Sequence, residues 1–244
     1  MARFFAAAGN IAGGVACILG EDAAHARVLR LRVGDQIVVC DGEGKDYYCH
    51  VTKLDKNEMQ AEIFDTVISP AEPTVRVSVL AGLPKGERAD YIIQKSTELG
   101  ATDIAFFLCE RCVARPETAI VGRKLTRWQR IAEEAAKQSG RGIIPKVRLI
   151  PNLAGALDVA VKTELPIFLY ETGDRQPLKT AIENAGSFSS AAIITGPEGG
   201  FEAYEAELAV AAGLRCCSMG PRIYRCETAP VAALSVLMYA TDNM

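Results

Sequence analysis

The sequence predicts a two-part α/β protein, with a small β-barrel followed by a larger domain built on a mostly parallel sheet. Three observations lead there. From Phe4 to about Val67, short β-rich runs alternate with turns. Ser69-Pro70-Ala71-Glu72-Pro73 then supplies two prolines and no periodicity, as a linker would. Beyond it, apolar runs alternate with helical patterns, the signature of a parallel sheet covered by helices on both faces. The expected domains are residues 1–68 and 74–244. A chain of 244 residues, 49% of them hydrophobic, can bury a sizeable core, and with no low-complexity tract it is expected to be ordered throughout.

The elements follow in order. Phe4 to Gly20 is uncharged and follows Arg3, like a signal peptide, but Gly9-Asn10 and Gly13-Gly14 interrupt it and a first strand is the better reading. In His25 to Asp35, arginines punctuate apolar residues, which fits either an RNA-facing segment or a short amphipathic helix over the barrel. Gln36–Cys40 and Asp46–Val51 flank the turn Asp41-Gly42-Glu43-Gly44, a hairpin signal, and Glu58–Ile63 alternates as another strand. In the second domain, strands are expected at 75–81, 104–108, 146–149, 166–170, 191–195 and 215–219. Helices are expected at 86–99, with Ala89, Ile92, Ile93 and Ser96 inward, and at 122–139, with Leu125, Trp128, Ile131 and Ala135 inward. Further helices are expected at 153–161, 178–185, 203–212 and 229–240.

Charge and cysteine content narrow the setting. The net charge is -3, yet ten basic residues stand against three acidic ones (Glu117, Glu133, Glu134) between Arg111 and Arg148. Such a segment is either a phosphate-binding surface or a solvated helix face. The eight cysteines are dispersed, mostly inside apolar runs, which fits free thiols in a reducing cytoplasm. Cys109-Glu110-Arg111-Cys112 is formally a C-x-x-C, but no second one exists and His25 and His50 are distant, so no metal site is expected. The longest apolar run, Pro230 to Ala240, is too short to cross a bilayer, and the protein is expected to be soluble, cytoplasmic and independent of membranes.

Two late loops carry the chemistry. Gly196-Pro197-Glu198-Gly199-Gly200-Phe201 and Met219 to Ala229 each follow an apolar run and precede a helical pattern. Two strand-to-helix loops of this kind present backbone N–H groups at one edge of a sheet, where ligands of parallel sheets gather. Dinucleotide and P-loop fingerprints are absent, and the glycine turn alone is equally well a tight turn.

Taken together, seven ordered segments resemble the RsmE family of ribosomal RNA uridine-N3 methyltransferases, members of the SPOUT (α/β-knot) class. They are Arg3-Phe4-Phe5, His25 to Leu31, Gln94 to Gly100, Glu110-Arg111-Cys112, Glu133 to Arg141, Gly196 to Phe201, and Gly220 to Ala229. Tyr224 and Cys226 depart from the family's usual leucine and threonine, and an Ala-Lys pair precedes Gln138.

The resemblance implies a PUA-like, RNA-binding N-terminal barrel, a C-terminal domain threaded into a deep trefoil knot, and a homodimer whose sites are completed by the partner. It implies S-adenosylmethionine (SAM) as cofactor and 16S rRNA, free or in the assembled small ribosomal subunit, as substrate. The cofactor-binding residues carried over are Leu169, Tyr170 and Glu171; Thr195, Gly196, Pro197, Glu198, Gly199 and Gly200; and Met219, Gly220, Ile223, Tyr224, Arg225 and Thr228. RNA contacts are expected at Arg3, Arg27, Arg30, Lys95, Arg111, Gln138 and Arg141.

Uracil N3 is a poor nucleophile until its imide proton leaves. A fixed charge near the uracil oxygens, assigned to Arg225, would stabilise the anion, and Glu227 or Glu198 would accept the proton or brace the loops. Two rival readings are a non-catalytic RNA-binding protein, which would not bind SAM, and a C-x-x-C oxidoreductase, which would lose activity on Cys109→Ser.

Overall fold

The computed structural model describes residues 1–115 and 118–244. Glu117, one of the three acids counted above, lies outside the described residues. The chain divides into two compact units, residues 1–72 with 136–144, and residues 73–135 with 145–244.

The first unit is a curled six-stranded sheet. In chain order its elements are β1 (Ala2–Phe5), β2 (Ile11–Ala12), β3 (Val15–Leu19), α1 (Gly20–Val28), β4 (Gln36–Cys40), β5 (Lys45–Leu54) and β6 (Glu58–Ile68), with strand order β1-β4-β5-β6-β3-β2. The Asp41–Gly44 turn joins β4 to β5 as expected. Its Asp41 carboxylate accepts the N–H groups of Glu43 and Lys45 at 2.8 and 3.0 Å, and Gly42 and Gly44 take positive φ. Register shifts in β5 at Tyr48/Cys49 and Val51/Lys53 bend the sheet. Alternate residues of the strands, Phe4, Ile18, Ile37, Val39, Val51 and Met59 among them, close on Ala23 and Ala26 of α1, which plugs the core. The other side of α1 leaves His25 and Arg27 in solvent, so the His25–Asp35 segment opens as a helix and keeps its cations outside.

The segment read as a linker is pinned at two points. Ser69 shares Asp46 with Arg3, whose guanidinium reaches the carboxylate at 2.7 and 3.0 Å, and Asp46 is almost wholly buried. Glu72 accepts Arg141 Nη2 at 2.6 Å and the N–H groups of Gly142 and Ile143 at 2.7 and 2.9 Å. Gly142 is required there, because a Cβ would lie 2.4 Å from that of Ser69. The Arg3 and Arg141 guanidinium groups, both expected to touch RNA, are held on carboxylates of the same unit. The Arg141 side chain is 2% exposed, and a phosphate would have to displace Glu72 to reach it.

The second unit is a seven-stranded parallel sheet. Its elements are β7 (Arg76–Gly82), α2 (Arg88–Glu98), β8 (Asp103–Phe107), α3 (Thr118–Ser139, its last residues assigned to the first unit), β9 (Lys146–Ile150), α4 (Leu153–Ala160), β10 (Leu165–Leu169), β11 (Gln176–Pro177), α5 (Leu178–Glu183), β12 (Ser190–Thr195), α6 (Ala203–Ala211), β13 (Arg215–Ser218) and α7 (Thr228–Ala240). The order is β11-β13-β10-β12-β7-β8-β9, every pair parallel.

The central strand β12 is mostly apolar, as burial on both faces demands: Ala191 to Thr195 are all buried. Ala89, Ile92, Ile93 and Ser96 of α2 are buried, as their spacing predicts. On α3, Trp128 is buried against Phe106 of β8, ring centres 4.9 Å apart, with Lys124 Nζ 5.8 Å above the indole. Ala135 is buried too, while Leu125 and Ile131 are half-buried. The chain runs outward from β7 through β8 to β9, then returns to build β10, β12 and β13 on the other side of β7. Strand order therefore reverses at β7, which is where open α/β sheets form a crevice.

The basic segment is largely neutralised. Among the described residues, six of its ten cations are ion-paired: Arg111 with Glu202, Arg127 with Asp90, Arg130 with Glu134, Lys137 with Asp22, Arg141 with Glu72 and Arg148 with Asp103. Removing one partner of a buried pair leaves an uncompensated charge. Glu72→Ala is therefore expected to lower unfolding free energy by about 3–5 kcal/mol. Urea denaturation followed by circular dichroism measures it, and an unchanged midpoint would refute the assignment.

Candidate active site

Four neighbouring strands, β13, β10, β12 and β7, end at the same edge, and the loops that follow them enclose a cavity of about 430 Å³, within the range of small-molecule sites. Leu169, Tyr170 and Glu171 come from the end of β10. Thr195 to Gly200 come from the end of β12 and its turn, Cys217 to Glu227 from the end of β13 and its loop, and Arg88 opens α2 after β7.

The turn after β12 is seated by three separate contacts. Pro197 lies so close to Gly82 that a Cβ on the glycine would meet its Cδ at 2.5 Å and its backbone nitrogen at 2.7 Å. Phe201 is buried, tilted on Phe168 of β10 at 4.4 Å and stacked on Phe107 of β8 at 6.3 Å. Arg111 forks Glu202 with Nε and Nη2 at 2.7 and 2.9 Å and donates from Nη1 to the Gly199 carbonyl at 3.0 Å. Glu202 also caps α6 in a reciprocal box with Glu205, while the buried Glu205 accepts the Glu110 N–H at 3.0 Å.

The glycines of this turn answer to protein neighbours. A Cβ at Gly196 would press on Gly200 and Phe201, one at Gly199 would come within 2.9 Å of Arg111 Cβ, and Gly200 combines φ +68° with Glu171 Oε1 at 2.4 Å from where its Cβ would stand.

Arg88 joins two of the loops. Its Nη1 lies 2.7 Å from Glu198 Oε1 and its Nε 3.5 Å from Glu227 Oε2, and the Lys85 N–H donates to the same Glu198 oxygen at 2.8 Å. Burial works to raise the Glu227 carboxyl. Its own backbone N–H, the Cys226 thiol at 3.2 Å and the charges of Arg88 and Arg225 outweigh burial and hold it below the usual carboxylate range. Arg225 is exposed at the rim with no ion pair among the described residues. The floor of the cavity holds an unusual atom. Thr195 is 1% exposed and its Oγ1 has no hydrogen-bond partner among the described residues, a cost that a bound polar group would remove.

The chain matches family models over most of its length. Residues 70–238 match an RNA methyltransferase domain and residues 18–64 an RNA methyltransferase PUA domain. The ribosomal RNA small subunit methyltransferase E of Bacillus subtilis is 33% identical over 92% of this chain and 90% of its own length; that of Mycobacterium bovis is 32% identical over 95% and 88%. The chain belongs to the ribosomal RNA small subunit methyltransferase E family. Among solved structures, the Neisseria gonorrhoeae member bound to S-adenosyl methionine superposes with a TM-score of 0.82 at 30% identity, over 98% of this chain and 97% of that one.

Of the residues expected to hold a cofactor, all but Thr228 line the cavity; Thr228 begins α7 and donates its N–H to the Arg225 carbonyl at 2.9 Å. Arg225, Glu227 and Glu198, expected as catalytic groups, line it too. The residues expected to touch RNA are not gathered in this cavity. Lys95 is paired with Glu98 at 2.8 Å and Arg111 with Glu202, whereas Arg27, Arg30 and Gln138 are exposed. Sequence reasoning missed Arg88, Arg175, Cys217 and Ser218 as lining residues. Arg88 had a signal, because Gly82-Leu83-Pro84-Lys85-Gly86 is itself a glycine-bearing strand-to-helix turn; Arg175 had none. Gly82→Ala is expected to push the 195–200 turn off the sheet at a cost of about 1–3 kcal/mol, read by thermal denaturation. Full native stability in that variant would show the contact to be soft.

Proposed function

We propose that this chain methylates N3 of a specific uridine in 16S rRNA of the small ribosomal subunit, using SAM held in the cavity at the carboxyl ends of β10, β12 and β13. The observation that carries the reading is the buried, unpartnered Thr195 Oγ1 at the floor of a cavity walled by three strand-to-helix loops. The residues present fit the cofactor. Tyr170 and Met219 offer apolar contact, Glu171 a carboxylate for a cationic or hydroxyl-bearing group, and the N–H groups of Gly199, Gly220 and Ile223 have no partner among the described residues. SAM supplies a methyl carbon activated by an adjacent sulfonium.

The chain's own residues do the rest. Arg225, a cation at the rim with no ion pair among the described residues, stabilises negative charge on the uracil oxygens as the N3 proton leaves. Glu198 and Glu227 are both turned toward Arg88, and the depressed basicity of Glu227 suits it to bracing the loops rather than to accepting that proton. Orientation of N3 against the methyl supplies much of the acceleration.

In this reading the first unit is a PUA-like module that grips rRNA, supported by the family match and by His25, Arg27, Arg30 and Arg32, exposed and without ion pairs among the described residues. The second unit is a SPOUT domain whose chain is knotted around the cofactor, in the cytoplasm with its ribosomal substrate. Two copies associate, with Ile223 at 84% exposure and the exposed Val236 and Tyr239 on the uncharged helix α7 as the surface to be covered. Sedimentation velocity is expected to give a dimer, and a monomer at micromolar concentration would exclude it.

Mass spectrometry of 16S rRNA nucleosides from a strain lacking the gene is expected to show loss of 3-methyluridine, restored by the wild-type gene. Unchanged 3-methyluridine would overturn the assignment. Assayed on the same rRNA, Arg225→Ala is expected to lower kcat by about 10²–10³-fold while SAM affinity measured by calorimetry stays within about threefold. A loss confined to SAM affinity would instead make Arg225 a cofactor ligand.

A further inference from the structure

Between β8 and α3 lies a pair of thiols that methyl transfer does not use. Cys109 and Cys112 are buried and face each other with Sγ atoms 3.4 Å apart. The turn closes with the Cys112 N–H on the Cys109 carbonyl at 3.2 Å and the Cys109 N–H on Cys112 Sγ at 3.4 Å. The two residues between them, Glu110 and Arg111, are exposed, and they are the residues that fasten the pocket turn: Arg111 through Glu202 and the Gly199 carbonyl, Glu110 through Glu205. The thiol pair and the wall of the cavity are thus joined by one side chain.

We propose that Cys109 and Cys112 form an oxidisable dithiol through which a low-molecular-weight disulfide loosens the pocket turn; the effect on SAM binding rests on the function proposed above. The Cys112 thiolate attacks one sulfur of the disulfide and expels a thiolate. Cys109 then attacks the mixed disulfide, and its proton leaves with the second thiol, so two protein thiols and one small disulfide become one protein disulfide and two small thiols. The hydrogen bond from Cys109 comes first among the influences that lower the Cys112 thiol, to about 7, whereas burial pushes Cys217 and Cys226 up to about 12. Attack is therefore selective for this pair. Closing an S–S bond of about 2.05 Å draws the sulfurs together and moves the Glu110-Arg111 backbone. Arg111 Cβ stands 2.9 Å from where a Gly199 Cβ would be, so the displacement reaches the turn directly.

Linkage makes the coupling reciprocal: if oxidation weakens SAM binding about tenfold, saturating SAM raises the dithiol's midpoint potential by about 30 mV. The test treats the full-length protein with oxidised glutathione, alkylates the remaining thiols and maps peptides by mass. A Cys109–Cys112 disulfide is expected, with the other six cysteines alkylated. Hydrogen exchange at residues 196–201 is expected to speed up, and SAM affinity by calorimetry to fall at least tenfold and recover with dithiothreitol. The double variant Cys109→Ser, Cys112→Ser is expected to bind SAM equally well under both conditions. Thiols 109 and 112 that remain alkylatable overturn the proposal, as does a mapped disulfide with unchanged exchange at 196–201. Failure of the reduced protein to bind SAM would overturn the functional reading alone, since peptide mass and exchange report the switch without cofactor.

Discussion

The pocket depends on how closely the turn after β12 lies on the carboxyl edge of the sheet. Pro197 occupies the space that any side chain at position 82 would need. β12 ends at Thr195, and Phe201, at the far end of the turn, is fixed between the aromatic rings of β8 and β10. Arg111 holds the middle of the same turn by its Gly199 carbonyl. The turn is thus held at its start, middle and end by the protein's own contacts, the kind of restraint that preorganises a site.

Electrostatics inside the cavity follow from the same pinning. Glu198 stands on the turn after β12 and Glu227 on the loop after β13, and a single guanidinium, Arg88, lies between them. Both carboxylates thereby meet one cation that belongs to a third loop. Arg225 adds its charge to the field on Glu227 but makes no ion pair among the described residues and stands exposed at the rim.

Much of the fold was legible because its signals are local. An apolar run marked β12, the Asp41–Gly44 turn marked its hairpin, and the inward face of α2 followed from spacing alone. The cavity was legible for a related reason: two of its walls are strand-to-helix loops that carry their own glycines. What stayed hidden depends on partners distant in the chain. Nothing near Arg141 announces Glu72, and nothing near Arg3 announces Asp46, so the ion pairs these cations make inside the first unit could not be foreseen. The glycines of the 196–200 turn were recognised as necessary, but their neighbours are Arg111, Glu171 and the turn itself. Arg175 reaches the cavity from a stretch with no periodicity to mark it.

Trp128 is the only tryptophan in the chain, and it is buried between α3 and β8 in the second unit. Indole emission from this protein consequently reports on one layer of the parallel-sheet unit and is silent about the curled sheet. A loss of indole burial therefore marks unfolding of the parallel-sheet unit, whatever the state of the curled sheet.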